Sequence, residues 1–478
     1  MLGSSATLLL GAIAPIAVFF AVKYWRSALL GVFVLLVFEG ALRKWAFPWA
    51  QAQIYLVKDV ILLGAYVGFL LERRKKQTFA DAPLIRIVLI VSFAFGCIEV
   101  LNPYSPSVLV GLMGLKTYFL YAPLAFILPY VFKSREHLLS LIRGYLLITI
   151  PVAVLGFIQV AAGPDSFLNT YVSYDDTTAI GVRFGQENDL VRTSGTFSYI
   201  SGYSAFLSFI AFLTIGYNIA QGWRVRGNII PLAALTLAVG AMFTTGSRAP
   251  VYTLVAASPA ILWLAVRSRV MALNTAVRLC LLLPIIAVVA INLSPRAFEG
   301  FVDRASDSQD SASSRILFGL SEAVGALEEV PAFGMGIGVT HPSALMLTGD
   351  SSPWWLQDVS VEGEMARVAV ELGAIGVLLV FGLRILVAVF AFRSALSFRD
   401  PTFRALGIGF AVYLALGIIG SIILNPTAGL YYWGSLGVVL TMRRLEQTAH
   451  ANATAPRLNQ SQRRQIADVR GRIGLRQS

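Results

Sequence analysis

The feature that most constrains how this chain folds is its series of long apolar runs. Each run is about 20 residues, the length at which an α-helix spans the hydrocarbon core of a bilayer. Of the 478 residues, 56% are hydrophobic and only 13% are charged, whereas soluble domains carry about 25% charged residues. The alternating pattern of a transmembrane β-barrel is absent. The sequence therefore predicts an all-α fold, a polytopic bundle of transmembrane helices.

The apolar runs divide residues 1–442 into about 12 to 13 predicted spans, whose ends are placed to within a few residues. The spans lie near residues 6–22, 27–42, 54–71, 84–101, 109–132, 138–161, 199–220, 228–246, 250–266, 270–293, 367–392, 404–424 and 429–442. We therefore expect residues 1–442 to form one transmembrane domain together with its extracytoplasmic loops.

Basic residues predict the orientation of these spans. When the chain is threaded through the bilayer, five loops rich in Lys and Arg fall on one face: residues 72–76, 133–137, 223–226, 267–269 and 392–404. Such loops are cytoplasmic in membrane proteins, which accounts for the net charge of +12 without a nucleic-acid partner. Arg43 and Lys44 fall on the opposite face. Either the first spans are miscounted or these two charges face the protein interior.

Three polar segments lie outside the apolar runs. Residues 443–478 fall on the cytoplasmic side and carry eight arginines. We expect this basic tail to be disordered or to lie on anionic lipid. Two further segments, near residues 162–198 and 294–366, fall on the outer face. The segment 294–366 is long enough that a function is expected for it.

The outer segment 294–366 contains a helical pattern followed by a glycine-rich loop. Apolar residues recur at helical spacing over residues 313–330, which predicts a short amphipathic helix, and Pro331 ends it. The sequence continues as PAFGMGIGVTHPS, where three glycines allow the backbone to turn sharply: Gly334, Gly336 and Gly338. His341, one of three histidines in the chain, follows these glycines near the predicted outer interface.

Three arginines fall at the same predicted outer interface: Arg192, Arg248 and Arg315. A guanidinium group binds phosphate through two parallel hydrogen bonds, so these residues are candidates for binding an anionic lipid head group. Lys116, within about two helical turns of that face, is a further candidate. The alternative for each of the three arginines is snorkelling toward lipid phosphates at the interface.

His341 is a candidate general base or hydrogen-bond donor, and the alternative is a solvated loop histidine. No HExxH or CxxC motif accompanies it, so no zinc site is expected. The glycines are not followed by the Gly-Lys-Ser/Thr of a P-loop, so no nucleotide site is expected. Further charges inside predicted spans should face the bundle interior as ion pairs or line a wet cavity: Glu39, Lys58, Asp59, Glu99, Arg278 and Glu371.

Four segments in order resemble the bacterial O-antigen ligase and polymerase superfamily, polytopic glycosyltransferases of the GT-C type. RTSGTFSYISGYSAFL (192–207) resembles the family's Arg-x-x-Gly-Thr-Phe segment. TTGSRAPVYTLV (244–255) resembles its Ser-Arg-Gly segment, with Ala249 where glycine is usual. SSRILFGLSEAV (313–324) and PAFGMGIGVTHPS are similar to its Arg helix and Pro-x-x-Gly-x-Gly loop. EGEMARVAVELGAIGVLL (362–379) is similar to its closing span.

The resemblance implies glycosyl transfer at the extracytoplasmic face of the bacterial cytoplasmic (inner) membrane. The donor would be a polyprenyl-diphosphate-linked oligosaccharide whose diphosphate is the leaving group, so neither a metal nor another cofactor is expected. The three arginines would hold that diphosphate, and His341 would orient or deprotonate the acceptor hydroxyl. The loop glycines would let the backbone approach the sugar. Membrane lipids and a glycan or lipid acceptor are the other implied partners.

The acceptor divides this family. Polymerases transfer the glycan to another lipid-linked repeat unit, whereas ligases transfer it to lipid A-core or to protein. A histidine after the glycine loop resembles the ligases, and the Arg-x10-Gly spacing of polymerases is not reproduced, since nine residues separate Arg192 from Gly202. The EGALRKWAFP segment and the basic tail resemble exopolysaccharide polymerase-like members. We favour an O-antigen or exopolysaccharide polymerase, with a ligase and a polysaccharide-lipid transporter as alternatives and a chain-length regulator as a candidate partner.

Overall fold

The computed structural model describes residues 15–73, 82–172, 182–184, 190–222, 229–293, 295–306, 312–348, 361 and 363–454. Most of these residues are helical, which confirms the predicted all-α bundle. Residues 15–23 are helical. The helices that follow are α1 (Trp25–Ala41), α2 (Gln51–Arg73), α3 (Pro83–Glu99), α4 (Val108–Phe119), α5 (Ala122–Ile127), α6 (Arg135–Ala162), α7 (Ile200–Ala220), α8 (Ile229–Thr244), α9 (Arg248–Arg267), α10 (Leu273–Leu293), α11 (Pro295–Ser306), α12 (Ala312–Glu329), α13 (Ala344–Thr348), α14 (Glu364–Ser397), α15 (Pro401–Leu416) and α16 (Pro426–Thr454).

Seven helical segments within these ranges are long and apolar enough to cross a membrane: Trp25–Ala46, Pro48–Glu72, Val108–Tyr130, Arg135–Ala162, Ile200–Ala220, Arg248–Arg267 and Glu364–Ser397. Helices α8 and α15 are shorter apolar helices, and α3, α10 and α16 coincide with other predicted spans. The apolar helices indicate a membrane protein. The total number of spans and their orientation stay predictions.

Two predicted spans have different limits in the structure. The span near 109–132 is divided into α4 and α5, where Pro123 occupies the first turn of α5 and cannot donate to a preceding carbonyl. The span near 404–424 ends at Leu416 because residues 417–425 leave the helix. The non-helical stretch 417–425 then leads into Pro426 at the start of α16.

A buried ion pair within α14 holds the 417–425 stretch. Arg384 pairs with Glu364 and donates from Nη1 to three backbone carbonyls, those of residues 417, 418 and 420, at 3.4, 3.3 and 3.2 Å. Oε2 of Glu364 accepts from the amides of Ile422 and Ile423 at 2.7 and 2.9 Å. The pair thus satisfies backbone groups that would otherwise lack partners in an apolar environment.

The structure corrects the predicted start of the disordered tail at residue 443, because α16 continues to Thr454. Arg443 donates to Oγ of Ser394 at 3.2 Å, and Arg444 lies over the Tyr130 ring at 4.8 Å. Oε1 of Glu446 accepts from the amides of Arg399 and Asp400 at 2.7 and 2.8 Å. These contacts extend the helix past the apolar run, and the rest of the tail, residues 455–478, lies outside the described residues.

The two outer segments contain short elements of their own. The predicted amphipathic helix over 313–330 is confirmed as α12, which packs against α14. Another short helix, α11, precedes it. Segment 162–198 includes a small departure from the all-α prediction, an antiparallel pair of two-residue strands, β1 (Arg183–Phe184) and β2 (Leu190–Val191).

Glycines allow close packing at the centre of the bundle. Helices α7 and α15 cross where Gly216 meets Gly409, and a Cβ on Gly409 would lie 2.9 Å from the carbonyl oxygen of Phe212. Close approach of backbones through small residues is a common packing mode for membrane helices. Nearby, the rings of Phe209 and Tyr431 stack at 4.2 Å, so α16 is joined to the same core.

Candidate functional site

Two adjoining cavities lie among the helices. One, the His341 cavity, has a volume of about 550 Å³ and is lined by His341 and by residues of α1, α2 and α7. The other, the Arg192 cavity, has a volume of about 520 Å³ and is lined by Arg192 and by residues of α7, α9 and the 417–425 stretch. Tyr199, Ser201 and Asn425 line both cavities and form a shared wall, within which Asn425 donates to the Ser201 carbonyl at 3.0 Å.

The imidazole of His341 is held in one orientation by its own loop. The backbone amide of Ser343 donates to Nδ1 of His341 at 3.0 Å. A ring nitrogen that accepts a hydrogen bond carries no proton, so in the neutral ring the proton is on Nε2. His341 therefore has an N–H to donate from Nε2 and no further lone pair with which to accept a proton there.

His341 also stays neutral at physiological pH. Burial, with smaller contributions from the positive charges of Lys116 and Arg367, lowers the pKa of His341 from 6.5 to about 4. The hydrogen bond to Nδ1 and the lowered pKa both favour one role, because a neutral imidazole whose Nδ1 already accepts a hydrogen bond can only donate, from Nε2. Of the two predicted roles, donor and general base, this geometry favours the donor.

The loop before His341 is fixed to α14 and α4. Three glycines have positive φ, at 82°, 105° and 88°: Gly334, Gly336 and Gly338. The amides of Met335 and Gly336 donate to the carbonyls of Val370 and Glu371 at 2.8 and 3.1 Å. These carbonyls are free to accept because α14 is broken at Gly373, where φ is 60° and ψ is −161°.

The loop glycines have a packing role in this structure. A Cβ on Gly334 would lie 2.6 Å from the Glu371 backbone, and one on Gly338 would lie 2.4 Å from the Val110 carbonyl oxygen. Neither cavity is lined by these residues. Their small size therefore serves contact with neighbouring helices, and approach of the loop backbone to a sugar stays a prediction.

Thr340 links His341 to the charged groups of α14. Its amide donates to Oε1 of Glu371 at 3.2 Å, and its carbonyl accepts from Nη1 of Arg367 at 2.8 Å. Both the amide and the carbonyl of Thr340, the residue before His341, are thereby bonded to side chains of α14. This anchoring fixes where the imidazole enters its cavity.

A network of buried charges lies beside His341. Lys58 pairs with Glu39 at 2.8 Å, and Lys116 pairs with Asp59 at 2.7 Å. Arg43 lies 3.7 Å from Glu39. The ring of Tyr55 is faced by all three cations, with Lys58 at 4.0 Å, Lys116 at 4.3 Å and Arg43 at 5.2 Å. Four members of the network line the His341 cavity: Glu39, Arg43, Tyr55 and Lys58.

The structure settles the position of Arg43 and Lys44, which face the protein interior. Arg43 donates to Oγ of Ser198 at 2.9 Å. Lys44, which is buried, donates to Oγ of Ser194 at 2.9 Å and to the carbonyl of Gly195 at 2.8 Å. Together they connect the end of α1 to the segment that begins at Arg192.

Two of the three predicted arginines are brought together. Nε of Arg192 donates to the Thr245 carbonyl at 3.0 Å, and the amide of Thr193 donates to the Thr244 carbonyl at 3.0 Å. Arg248 is the first residue of α9 and is buried. Its neighbours Ser247 and Ala249 line the Arg192 cavity.

The other two predicted cations are placed differently. Lys116 lines neither cavity and is compensated by Asp59, so the structure does not group it with the arginines. The backbone of Arg315 lies in α12, and its side chain is outside the described residues. Among the residues that the structure does describe, no group of three or more His, Cys, Asp and Glu could hold a metal ion.

Several residues that complete the two cavities were not assigned to the candidate site from the sequence. Glu39, Arg43 and Lys58 carried a signal, because charges inside or beside apolar runs are costly unless they are paired or line a cavity. Tyr199 and Asn425 carried none, since neither residue type is unusual in its segment. Asn425 reaches the shared wall through the non-helical stretch 417–425, which the apolar pattern did not predict.

Comparison with known proteins adds no assignment. No model of a known protein family matches the sequence, and no curated protein matches it either. The link to the O-antigen ligase and polymerase superfamily therefore rests on the four ordered motifs.

Proposed function

We propose that this protein is a membrane glycosyltransferase that moves a polyprenyl-diphosphate-linked glycan to an acceptor hydroxyl, with polymerisation favoured. The observation that carries the proposal is the pair of adjoining cavities with a shared wall. One cavity is lined by Arg192 and the other by His341. A transfer reaction needs two substrates held with their reacting atoms in contact, and two cavities that share Tyr199, Ser201 and Asn425 suit that need.

In this proposal the donor diphosphate occupies the Arg192 cavity. Arg192 contacts the departing diphosphate, and Arg248 at the start of α9 adds positive charge beside it. Negative charge grows on the diphosphate as the glycosidic bond breaks, so fixed cations stabilise the transition state more than the ground state. Arg315 belongs to the same group by its motif.

The acceptor hydroxyl occupies the His341 cavity. His341 orients it by donating from Nε2, and the serine and threonine hydroxyls of the lining can bind sugar hydroxyls. Because Nδ1 already accepts from Ser343, orientation is proposed for His341 rather than proton removal. By the motif resemblance and the charge bias of the loops, this site faces the extracytoplasmic side of the bacterial inner membrane.

The test is a mass spectrum of products formed by the purified protein in lipid. With a polyprenyl-diphosphate oligosaccharide as sole substrate, a ladder spaced by the repeat mass is expected for a polymerase. Transfer only after lipid A-core or a protein acceptor is added would identify a ligase. Absence of any transfer from a donor matched to the host glycan, together with movement of that lipid across vesicles, would overturn the enzyme proposal in favour of a transporter.

A further inference from the structure

We infer that Glu39 is the group that removes the proton from the acceptor hydroxyl. The inference rests on the proposed glycosyl transfer and assigns its proton acceptor. It starts from His341, whose Nδ1 lone pair is occupied by the Ser343 amide at 3.0 Å. With Nε2 already protonated, His341 has no lone pair for the hydroxyl proton. Another group in the same cavity must receive it.

Glu39 is the only Asp or Glu among the described residues that line the His341 cavity. The two cations of the lining are unsuitable. Arg43 keeps its proton at any physiological pH, and Lys58 is engaged as a donor to Glu39 at 2.8 Å and to the Tyr55 carbonyl at 2.9 Å. A carboxylate is an ordinary general base for a sugar hydroxyl when the transition state already carries positive charge at the anomeric carbon.

The contacts of Glu39 suit this task. Lys58 lies 2.8 Å from Oε2 and occupies that oxygen. The cation nearest to Oε1 in these ion pairs is Arg43 at 3.7 Å, beyond hydrogen-bonding distance. Oε1 is thus the oxygen assigned to the hydroxyl, while Oε2 is held by Lys58.

The acceptor oxygen forms a bond to the anomeric carbon of the donor sugar, and its proton passes to Oε1 of Glu39. The bond from the anomeric carbon to the diphosphate oxygen breaks, and the diphosphate leaves with the electron pair. The proton is released from Glu39 to solvent when the products depart.

Asp59 offers a matched control in the same network. It is buried and paired with a lysine as Glu39 is, through Lys116 at 2.7 Å, but it does not line either cavity. If Glu39 serves only as a structural counter-ion, Glu39→Gln and Asp59→Asn should have similar effects. If Glu39 is the base, only Glu39→Gln should stop the chemistry.

The experiment measures glycan transfer by wild type, Glu39→Gln, Glu39→Ala and Asp59→Asn, with donor-lipid binding and melting temperature recorded for each. We expect Glu39→Gln to lower kcat about 100-fold or more while donor binding stays within about threefold, and Asp59→Asn to lose less than about tenfold. Sodium formate, a small carboxylate that can enter the space left by Glu39→Ala, should raise the turnover of that variant at least about tenfold.

Two results would overturn the assignment while leaving the glycosyltransferase proposal intact. One is an active wild type with Glu39→Gln within about tenfold of its kcat. The other is loss of turnover in both Glu39 variants with no response of Glu39→Ala to formate. A wild type that transfers no glycan contradicts the proposed function itself, and the Glu39 assignment with it.

Discussion

The Ser343 amide donates to Nδ1 of His341 at 3.0 Å, across a single intervening residue, Pro342. This contact decides which nitrogen of His341, the histidine that lines the cavity, carries the proton. It also joins the imidazole to its own backbone, so the ring cannot turn without losing the bond. The orientation of Nε2 is therefore set by the chain before any substrate binds, which is the kind of preorganisation that favours transfer chemistry.

The donor role of His341 predicts a difference between two substitutions. Glutamine carries an amide N–H that can replace the Nε2 donor, whereas alanine cannot. We expect His341→Ala to lower kcat/KM about 10- to 100-fold, since a lost hydrogen bond costs about 1–3 kcal/mol, and His341→Gln to retain most of the activity. Steady-state transfer assays on both variants check this. Equal and complete loss in both would indicate that a titratable imidazole is required.

The shifted pKa of His341 predicts how stability depends on pH. The group titrates at about 4 when folded and near 6.5 when exposed, so unfolding takes up a proton between these values. His341 therefore contributes stability above pH 6.5 that is lost as pH falls toward 4. We expect the melting temperature in lipid to fall between pH 7 and about pH 4.5 by more in wild type than in His341→Gln. Parallel curves for the two proteins would argue against a buried neutral imidazole.

The glycine loop predicts a contrast between two Gly→Ala variants. At Gly338 φ is 88° and an added Cβ would lie 2.4 Å from the Val110 carbonyl oxygen. Backbone strain and overpacking together should destabilise Gly338→Ala by about 2–4 kcal/mol. Gly319 in α12 has no atom within 4 Å of its added Cβ, so Gly319→Ala should be neutral or stabilising by up to about 1 kcal/mol. Thermal unfolding of the two variants gives the comparison, and equal effects would contradict it.

The Glu364–Arg384 pair predicts non-additive effects. Arg384→Met leaves a buried carboxylate without its cation and removes three contacts to the 417–425 stretch. We expect a loss of about 3–5 kcal/mol and lowered transfer activity, because Asn425 in this stretch forms part of the wall between the cavities. The double variant Glu364→Gln/Arg384→Met should recover part of the stability. A double variant whose loss equals the sum of the single losses would show that the two residues act independently.

Much of the fold could be predicted from the sequence because burial in a bilayer imposes one dominant rule, a long apolar run for each helix. The predicted span over 138–161 becomes α6, and the helical spacing over 313–330 becomes α12. The non-helical stretch 417–425 could not be predicted in this way. Its residues are apolar enough to continue α15, and the open backbone is stabilised by contacts from other helices, among them those of Glu364 and Arg384.

Part of the candidate site could also be predicted from the sequence. Arg192 and Arg248 lie in motifs with a recognisable order, and the structure joins their segments through Thr193 and Thr244. Glu39 and Lys58 are far from these motifs in sequence and reach the His341 cavity only through helix packing. The sequence predicts which buried charges need a partner. Tertiary packing determines which of those charges pair with each other.

The most direct test of the two-cavity account is donor-lipid binding to wild type, Arg192→Gln and His341→Gln. Binding of a polyprenyl diphosphate in lipid nanodiscs would be measured without an acceptor, so that no turnover occurs. The account predicts that Arg192→Gln raises the Kd at least about tenfold, the effect of losing a charge-assisted contact, while His341→Gln binds like wild type. The reverse pattern, with binding lost in His341→Gln and unchanged in Arg192→Gln, would contradict the assignment of donor and acceptor to their cavities.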